Sequence, residues 1–318
     1  MKLAWRHVRL PVVLPLRVGG VTLSERVVME LRLTGADGQF GIGEAAPLPG
    51  LHAERLEELP DLLPAALSLI TDDQDSLDPL RSLNARADWR ALPPSLRCGL
   101  EGALLARSPS LPVGTPPASS ELFDGELRDI TAISTGTDCL KVKVGRRDLT
   151  EEVAVLQRLR TRLGNAAEIR LDANRAFTLD EALAFAAAVR EVNPIWIEEP
   201  LRDVTAMPEF LVRSGLPVAL DETLHESEHT NLASLAGVAA WVLKPALLGV
   251  GGTLDAFAHA TASPYRPCCV VSSSFEGPCG LELLGALAGC APGLPAPGLG
   301  TARWLGDGQP EPWVVIGG

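Results

Sequence analysis

From Leu3 to about Leu33, polar and apolar residues alternate in two runs separated by Gly19-Gly20, the period of antiparallel strands joined by a tight turn. A third run, Gln39 to Glu44, follows the turn Gly35-Ala36-Asp37-Gly38. The period then lengthens, which predicts helices over Ala53 to Ile70 and, after the start signal Pro93-Pro94, over Ser95 to Ala106. Strands followed by helices suggest a compact α+β domain over residues 1–107. Ser108 to Ser120 is rich in Pro, Ser and Gly and reads as a linker or long loop.

Past the linker, short apolar strands alternate with amphipathic helices. Leu140–Val144 precedes Thr150–Leu163, Glu168–Leu171 precedes Leu179–Val192, and Ile195–Ile197 precedes Val204–Ser214. Val218–Leu220 precedes a helix near Glu226–Ala236, Trp241–Leu243 precedes Thr253–Ala262, and Cys269–Val271 precedes Gly280–Ala288. Ser119 to Gly125 is the weakest strand and the first of the series. Repeated βα units make a parallel sheet, and this many favour a barrel over 108–301. The alternative is an open doubly wound sheet, but no GxGxxG follows any strand.

Each strand delivers polar residues at its C-terminal end: Lys141 and Lys143, then Asp172 with Asn174, Glu198 with Glu199, Asp221 with Glu222, Lys244, and Ser272-Ser273-Ser274. Successive positions lie about 23–29 residues apart, one βα unit each, so all belong to the face where barrel active sites are built. Singly, such residues are ordinary: a lone acid is usually a helix cap and a lone lysine a snorkelling side chain. Together they place three carboxylates and three lysines at one barrel end. Asp172, Glu198 and Asp221 supply hard oxygen donors suited to Mg²⁺, with Lys143 and Lys244 on either side. That arrangement suits removal of a proton next to a carboxylate, where a divalent cation stabilises the developing charge. A lysine acting as base must be neutral, and neighbouring positive charge would lower its pKa.

The 318 residues are 46% hydrophobic and 21% charged, enough for a barrel and a smaller domain. A net charge of −12 gives no footprint for nucleic acid. None of the six cysteines forms a CxxC pair, and they are expected to be reduced. Prolines Pro11 and Pro15 interrupt the only short apolar run near the start, and no stretch of ~20 apolar residues exists. The expectation is a cytoplasmic protein, monomer or weak homo-oligomer, whose partner is a small-molecule carboxylate substrate, with no nucleic acid and no membrane.

The segments KVKVG, LDANRAF, WIEEP, LDET and VLKP resemble those of the enolase superfamily, in the branch with one lysine on the second barrel strand and another on the sixth. Within it, Arg170 to Phe177, Gly41 to Gly50 and Val271 to Leu281 are similar to short o-succinylbenzoate synthases, as is the tail Pro297 to Thr301. The resemblance implies a modified TIM-type (β/α)7β barrel with an N-terminal α+β capping domain, joined by part of the tail, about 302–318. It implies one Mg²⁺, with Mn²⁺ as a substitute, on Asp172, Glu198 and Asp221, and Glu199 and Glu222 as support. Lys143 would take the α-proton and return it to the departing hydroxyl, with Lys244 opposite as acid/base partner or electrostatic stabiliser and Lys141 tuning Lys143. The implied reaction is dehydration of 2-succinyl-6-hydroxy-2,4-cyclohexadiene-1-carboxylate to 2-succinylbenzoate in menaquinone biosynthesis. Substrate contacts are expected from Ser272, Ser273, Ser274, Asn174 and Arg170, the last deeper in the barrel beneath the metal, and from a loop over Pro47 to His52.

The rivals are an N-succinylamino acid racemase, a dipeptide epimerase and a muconate cycloisomerase of the same superfamily. Dipeptide epimerases carry an Asp-x-Asp near the eighth strand, and Leu294 to Thr301 contains no acid. From other classes, a Schiff-base aldolase has no need of three clustered carboxylates, and a non-catalytic metal-binding protein has no use for the flanking lysines.

Overall fold

The computed structural model describes residues 1–70, 77–107, 115, 117–123, 125 and 127–316. Two long strands, β1 (Lys2–Val18) and β2 (Val21–Thr34), form a hairpin through Gly19-Gly20, and β3 (Phe40–Ala45) continues the antiparallel sheet on the other side of β2. The opposite edge is filled from the far end of the sequence. β11 (Gln309–Pro310) and β12 (Val314–Ile316) both pair with β1, Ile316 opposite Leu3. Four helices follow β3: α1 (Leu59–Ser68), α2 (Leu77–Ala85), α3 (Ala87–Arg90) and α4 (Pro94–Arg107). α4 lies directly on β3, where a Cβ at Gly41 or Gly43 would collide with the α4 backbone. The predicted helix from Ala53 begins only at Leu56, as a single 3-10 turn into α1, and α2 and α3 were not expected from the sequence. Of the predicted linker Ser108–Ser120, most lies outside the described residues.

The second sheet is parallel, in the sequential order β4 (Glu121–Phe123), β5 (Cys139–Lys143), β6 (Glu168–Asp172), β7 (Trp196–Glu198), β8 (Val218–Leu220), β9 (Val238–Leu243) and β10 (Cys268–Val271). A doubly wound sheet would reverse its order at a switch point; this one does not. The strand ends are joined through residues 296–298. Gly298 N–H donates to Val271 O (2.9 Å), Ser273 N–H donates to Gly298 O (3.0 Å), and Ser120 N–H reaches Pro297 O (2.8 Å) on the other side. A minimal eighth strand thus closes the curl between β10 and β4.

Helices α5 (Leu149–Leu163), α6 (Leu179–Ala188), α7 (Met207–Ser214), α8 (Pro245–Ala262) and α9 (Pro278–Ala288) follow their strands. Their starts are written locally: Asp148 accepts the Glu151 N–H, and Thr178 with Glu181 forms a capping box. α8 breaks at Gly249, and the buried Glu101 carboxylate accepts the Val250 and Gly251 N–H groups that the break exposes. The predicted helix near Glu226–Ala236 is not α-helical. Two 3-10 stretches, Glu222–His225 and Ser227–Ser234, take its place. Among the described residues, no helix is long and apolar enough to cross a membrane.

Period two along these strands sorts the side chains into a wall and an interior. Ile169, Leu171, Ile197, Val218, Leu220, Leu243, Cys269 and Val271 join the main core under the helices. Trp196, Ala219, Ala240, Val242 and Val270 form a separate apolar cluster. The charged residues of β5, β6 and β7 share their parity with this inner set.

Candidate active site

Cross-strand register brings the charged positions level. Lys143 is paired with Asp172, and Asp172 with Glu198; Asp221 and Lys244 follow immediately after β8 and β9. The lysines and carboxylates meet directly. Lys141 Nζ lies 2.7 Å from Asp172 Oδ2 and donates to both Glu198 oxygens at 2.8 and 2.9 Å. Lys143 Nζ donates to Asp172 Oδ2 and to Asn174 Oδ1, each at 2.6 Å, and Lys244 Nζ donates to both oxygens of Asp221. Asp172, Glu198 and Asp221 are all at most 4% exposed.

The backbone just past each strand turns sharply to present these groups. Asn174, Arg175 and Glu199 have φ values of 44°, 58° and 41°, in the left-handed region that non-glycine residues seldom adopt. The strain is held by hydrogen bonds. Glu199, fully buried, accepts the N–H groups of Asp221 and Thr223 (both 2.8 Å) and the Thr223 hydroxyl (2.7 Å). Arg175 donates to Glu199 (3.1 Å), Thr223 (2.9 Å) and Glu226 (2.6 Å). The second glutamate of the EE pair therefore fixes the backbone that carries Asp221.

Burial works against every charge in this cluster, and the neighbours decide the outcome. Lys141 loses by burial but is raised overall by Asp172, Glu198 and Asp221, and Lys244 is likewise raised, chiefly by Asp221. Asp172 is lowered because Lys141 and Lys143 outweigh its burial, and Asp221 is lowered by Lys244 and Lys141. Glu198 goes the other way, to about 8, pushed by burial and then by the Asp172 charge with which it shares Lys141.

Asp172, Glu198 and Asp221 were the expected ligands of a divalent cation. Here the carboxylates face ammonium groups, and among the described residues no three His, Cys, Asp or Glu side chains are spaced to hold a metal ion. The donor chemistry still fits one. The Lys141 ammonium stands in as the cation bridging Asp172 and Glu198, and its single charge leaves Glu198 reluctant to ionise. Hard oxygens on three neighbouring strands suit Mg²⁺, provided Asp221 and Glu198 turn from their lysines toward it.

Lys141, Lys143, Asp172, Asp221 and Lys244 form one wall of a cavity of about 600 Å³ that also receives Asn174, Glu222 and Ser272 to Phe275. From the N-terminal sheet come Leu16 to Gly19, Leu48, Gly50 and Leu51, and from the barrel loops Arg146. Ser273 is tied by its hydroxyl to Glu276 (2.5 Å) and sits 2.7 Å from the Thr301 hydroxyl, while the buried Ser274 hydroxyl has no partner among the described residues. One expected contact is elsewhere. Arg170 shares the inward face with Asp172 but lies lower in the barrel. It donates to Ala296 O (2.6 Å) and Glu168 (3.1 Å), stacks on Trp196 and lines a different cavity. His52 is half-buried and ties its own loop to α8, accepting the Leu48 N–H on Nδ1 (3.0 Å) with Nε2 3.2 Å from Ala246 O. Arg17 and Arg146 at the cavity wall had not been singled out in the sequence, where isolated arginines in loops look like ordinary solvated charges.

Residues 127–315 match the family model described as enolase C-terminal domain-like. An o-succinylbenzoate synthase from Salmonella arizonae is 32% identical over 92% of this chain and 90% of its own length. Protein PHYLLO, chloroplastic, from Arabidopsis thaliana is 32% identical over 87% of this chain, which spans only 19% of that longer protein. Among solved structures, o-succinylbenzoate synthase from Thermosynechococcus elongatus BP-1, complexed with Mg in the active site, superposes with a TM-score of 0.73 at 22% identity, covering 96% of this chain and 95% of its own. A dipeptide epimerase from Enterococcus faecalis V583 gives 0.79 at 17% identity, covering 96% and 91%. At such identities the structural likeness speaks for the fold alone.

Proposed function

The chain belongs to the enolase superfamily, and from that premise we propose that it is an o-succinylbenzoate synthase of menaquinone biosynthesis, dehydrating 2-succinyl-6-hydroxy-2,4-cyclohexadiene-1-carboxylate to 2-succinylbenzoate. The observation that carries the reading is the placement of Lys143 on Asp172 and Lys244 on Asp221 at one wall of a substrate-sized cavity, with Lys141 joining Asp172 to the buried Glu198 beside it. Similarity to a synthase over nine-tenths of both chains supports this reaction among those the superfamily hosts.

In this reading Asp172, Glu198 and Asp221 would hold Mg²⁺, which would supply positive charge to the substrate carboxylate and so make the neighbouring carbon more acidic. Lys143 takes the proton from the carbon bearing the carboxylate. The C–O bond to the ring hydroxyl then breaks, and Lys143 returns the proton to the departing oxygen, so water leaves and the ring becomes aromatic. Asn174, bonded to Lys143, holds the amine in line. Lys244 stabilises negative charge from the other side, and Lys141 holds the substrate carboxylate. The Ser272–Ser274 segment offers the unpartnered Ser274 hydroxyl to the distal carboxylate.

A spectrophotometric assay on the cyclohexadiene substrate tests this. Turnover with Mg²⁺, its loss in excess chelator and its return on adding Mg²⁺ or Mn²⁺ are expected; full activity in chelator would remove the metal from the mechanism. An epimerase is the second reading, favoured by the presence of both lysines. Deuterium exchange into Ala-Glu without turnover of the cyclohexadiene would establish it instead.

A further inference from the structure

Arg26 on β2 is 2% exposed, yet among the described residues none of its hydrogen bonds goes to a carboxylate. Its fork is spent on carbonyls: Nε to Phe275 O (3.0 Å), Nη1 to Pro47 O (2.7 Å) and Val27 O (3.2 Å), and Nη2 to Ala46 O (2.6 Å). Two of these lie in the segment leading to Leu48, Gly50 and Leu51, and one ends the Ser272–Phe275 segment. Both segments line the active-site cavity, and they come from opposite ends of the sequence. Taking a guanidinium out of water costs several kcal/mol unless its donors are met, so the placement must do more than fill space.

The surroundings share the same task. Glu44 on β3 accepts the Gly277 N–H (2.7 Å) and the Gly280 N–H (3.1 Å), fastening the N-terminal sheet to the start of α9. A Cβ at Gly277 would lie 2.8 Å from that carboxylate and force it to shift. Glu276 accepts the Ser273 hydroxyl and the Ser274 N–H (2.6 Å), which sets the shape of the serine segment itself. Phe275, whose carbonyl Arg26 holds, has φ 61° and packs edge-on against Trp304, with ring centroids 5.9 Å apart. A strained residue needs an outside partner to keep it there.

We infer that Arg26 is a positioning residue for the substrate cavity: it sets the spacing between the Ala46–Leu51 and Ser272–Phe275 segments, and through that the width of the rim that selects substrate. Arg26 touches no reacting atom. The inference rests on the cavity being the substrate site, but the coupling of the two segments can be tested without that.

Arg26→Lys keeps the charge and the aliphatic stem while replacing the planar fork by one nitrogen, which cannot span carbonyls on both segments. Arg26→Met removes the charge as well. Amide hydrogen exchange on ligand-free protein is then compared with wild type. In Arg26→Lys the amides of Leu51 and His52 on one side and of Ser274 and Phe275 on the other are expected to exchange about tenfold faster together, with the β9 core unchanged. Acceleration confined to one segment, or in neither, overturns the coupling. In steady-state assays KM is expected to rise about tenfold with kcat within about threefold, the split expected when binding is lost and chemistry is kept. An unchanged KM, or an equal loss in kcat with KM constant, overturns the positioning role. Should wild type fail to turn over the cyclohexadiene, the activity reading falls, while the exchange data still decide the coupling. Arg26→Lys carries the test if Arg26→Met does not fold.

Discussion

At the barrel mouth, Lys141, Lys143 and Lys244 meet Asp172, Glu198 and Asp221 charge to charge. Around Arg26 the same kinds of group, a cation with Glu44 and Glu276, instead bond to backbone amides, carbonyls and a serine hydroxyl. Both clusters are buried, but they store their charge differently. A side chain paired with a side chain can exchange that partner for a substrate or a cation by rotating about its own bonds. One paired with backbone can let go only if the chain moves. The first arrangement suits groups that must act in sequence; the second suits groups that must stay put.

The contrast is broken most directly at Lys143. Lys143→Ala is expected to lower kcat by about 10³-fold or more while product binding and melting temperature hold, because Asp172 keeps Lys141 as its partner. A rate near wild type would show the mouth cluster to be structural like the other. At the second cluster the order of effects should invert. Glu276→Leu strands the Ser274 N–H and leaves the Ser273 hydroxyl to Thr301 alone as a side-chain partner, and should cost about 1–3 kcal/mol of stability in denaturant unfolding, with kcat changed far less than in Lys143→Ala. Equal stability would mean that the serine segment does not depend on this carboxylate.

The smallest effect sharpens the comparison through pH. Burial pushes Glu44 up to about 7 from its ordinary 4.5, against the two amide hydrogen bonds it accepts. The folded protein therefore holds this proton more tightly than the unfolded chain does. Its contribution is fully present below about 4.5 and is lost as pH rises through about 7. Wild type should accordingly lose stability relative to Glu44→Gln between those values. Parallel melting-temperature profiles for the two proteins would contradict this.

How much of this could be read from residue order depends on whether a residue's partners lie in its own repeat. Alternation gave the face of each barrel strand, so Lys141, Lys143, Asp172, Glu198, Asp221 and Lys244 could be picked out and are brought together in space. It did not give height. Arg170 has the same parity as Asp172 and sits a step lower, against Ala296 and Trp196. Arg26 left no signal, because an arginine in an alternating antiparallel strand reads as solvated and its carbonyl partner at Phe275 is 249 residues away. The stretch Glu226–Ala236 has helical spacing but is rich in Ser, His, Thr and Asn, which have modest helix propensity. The turn that Glu199 imposes at Asp221 and Thr223 starts it as 3-10 instead.

The pairing of Leu3 with Ile316 has a consequence for synthesis. During synthesis β1 acquires its outer neighbours only when residues 309–316 emerge, after the described barrel strands have appeared. Until then one edge of the β1–β2 hairpin is bare and open to the wrong strand, so a chaperone or a fast-closing barrel has most to protect at that edge.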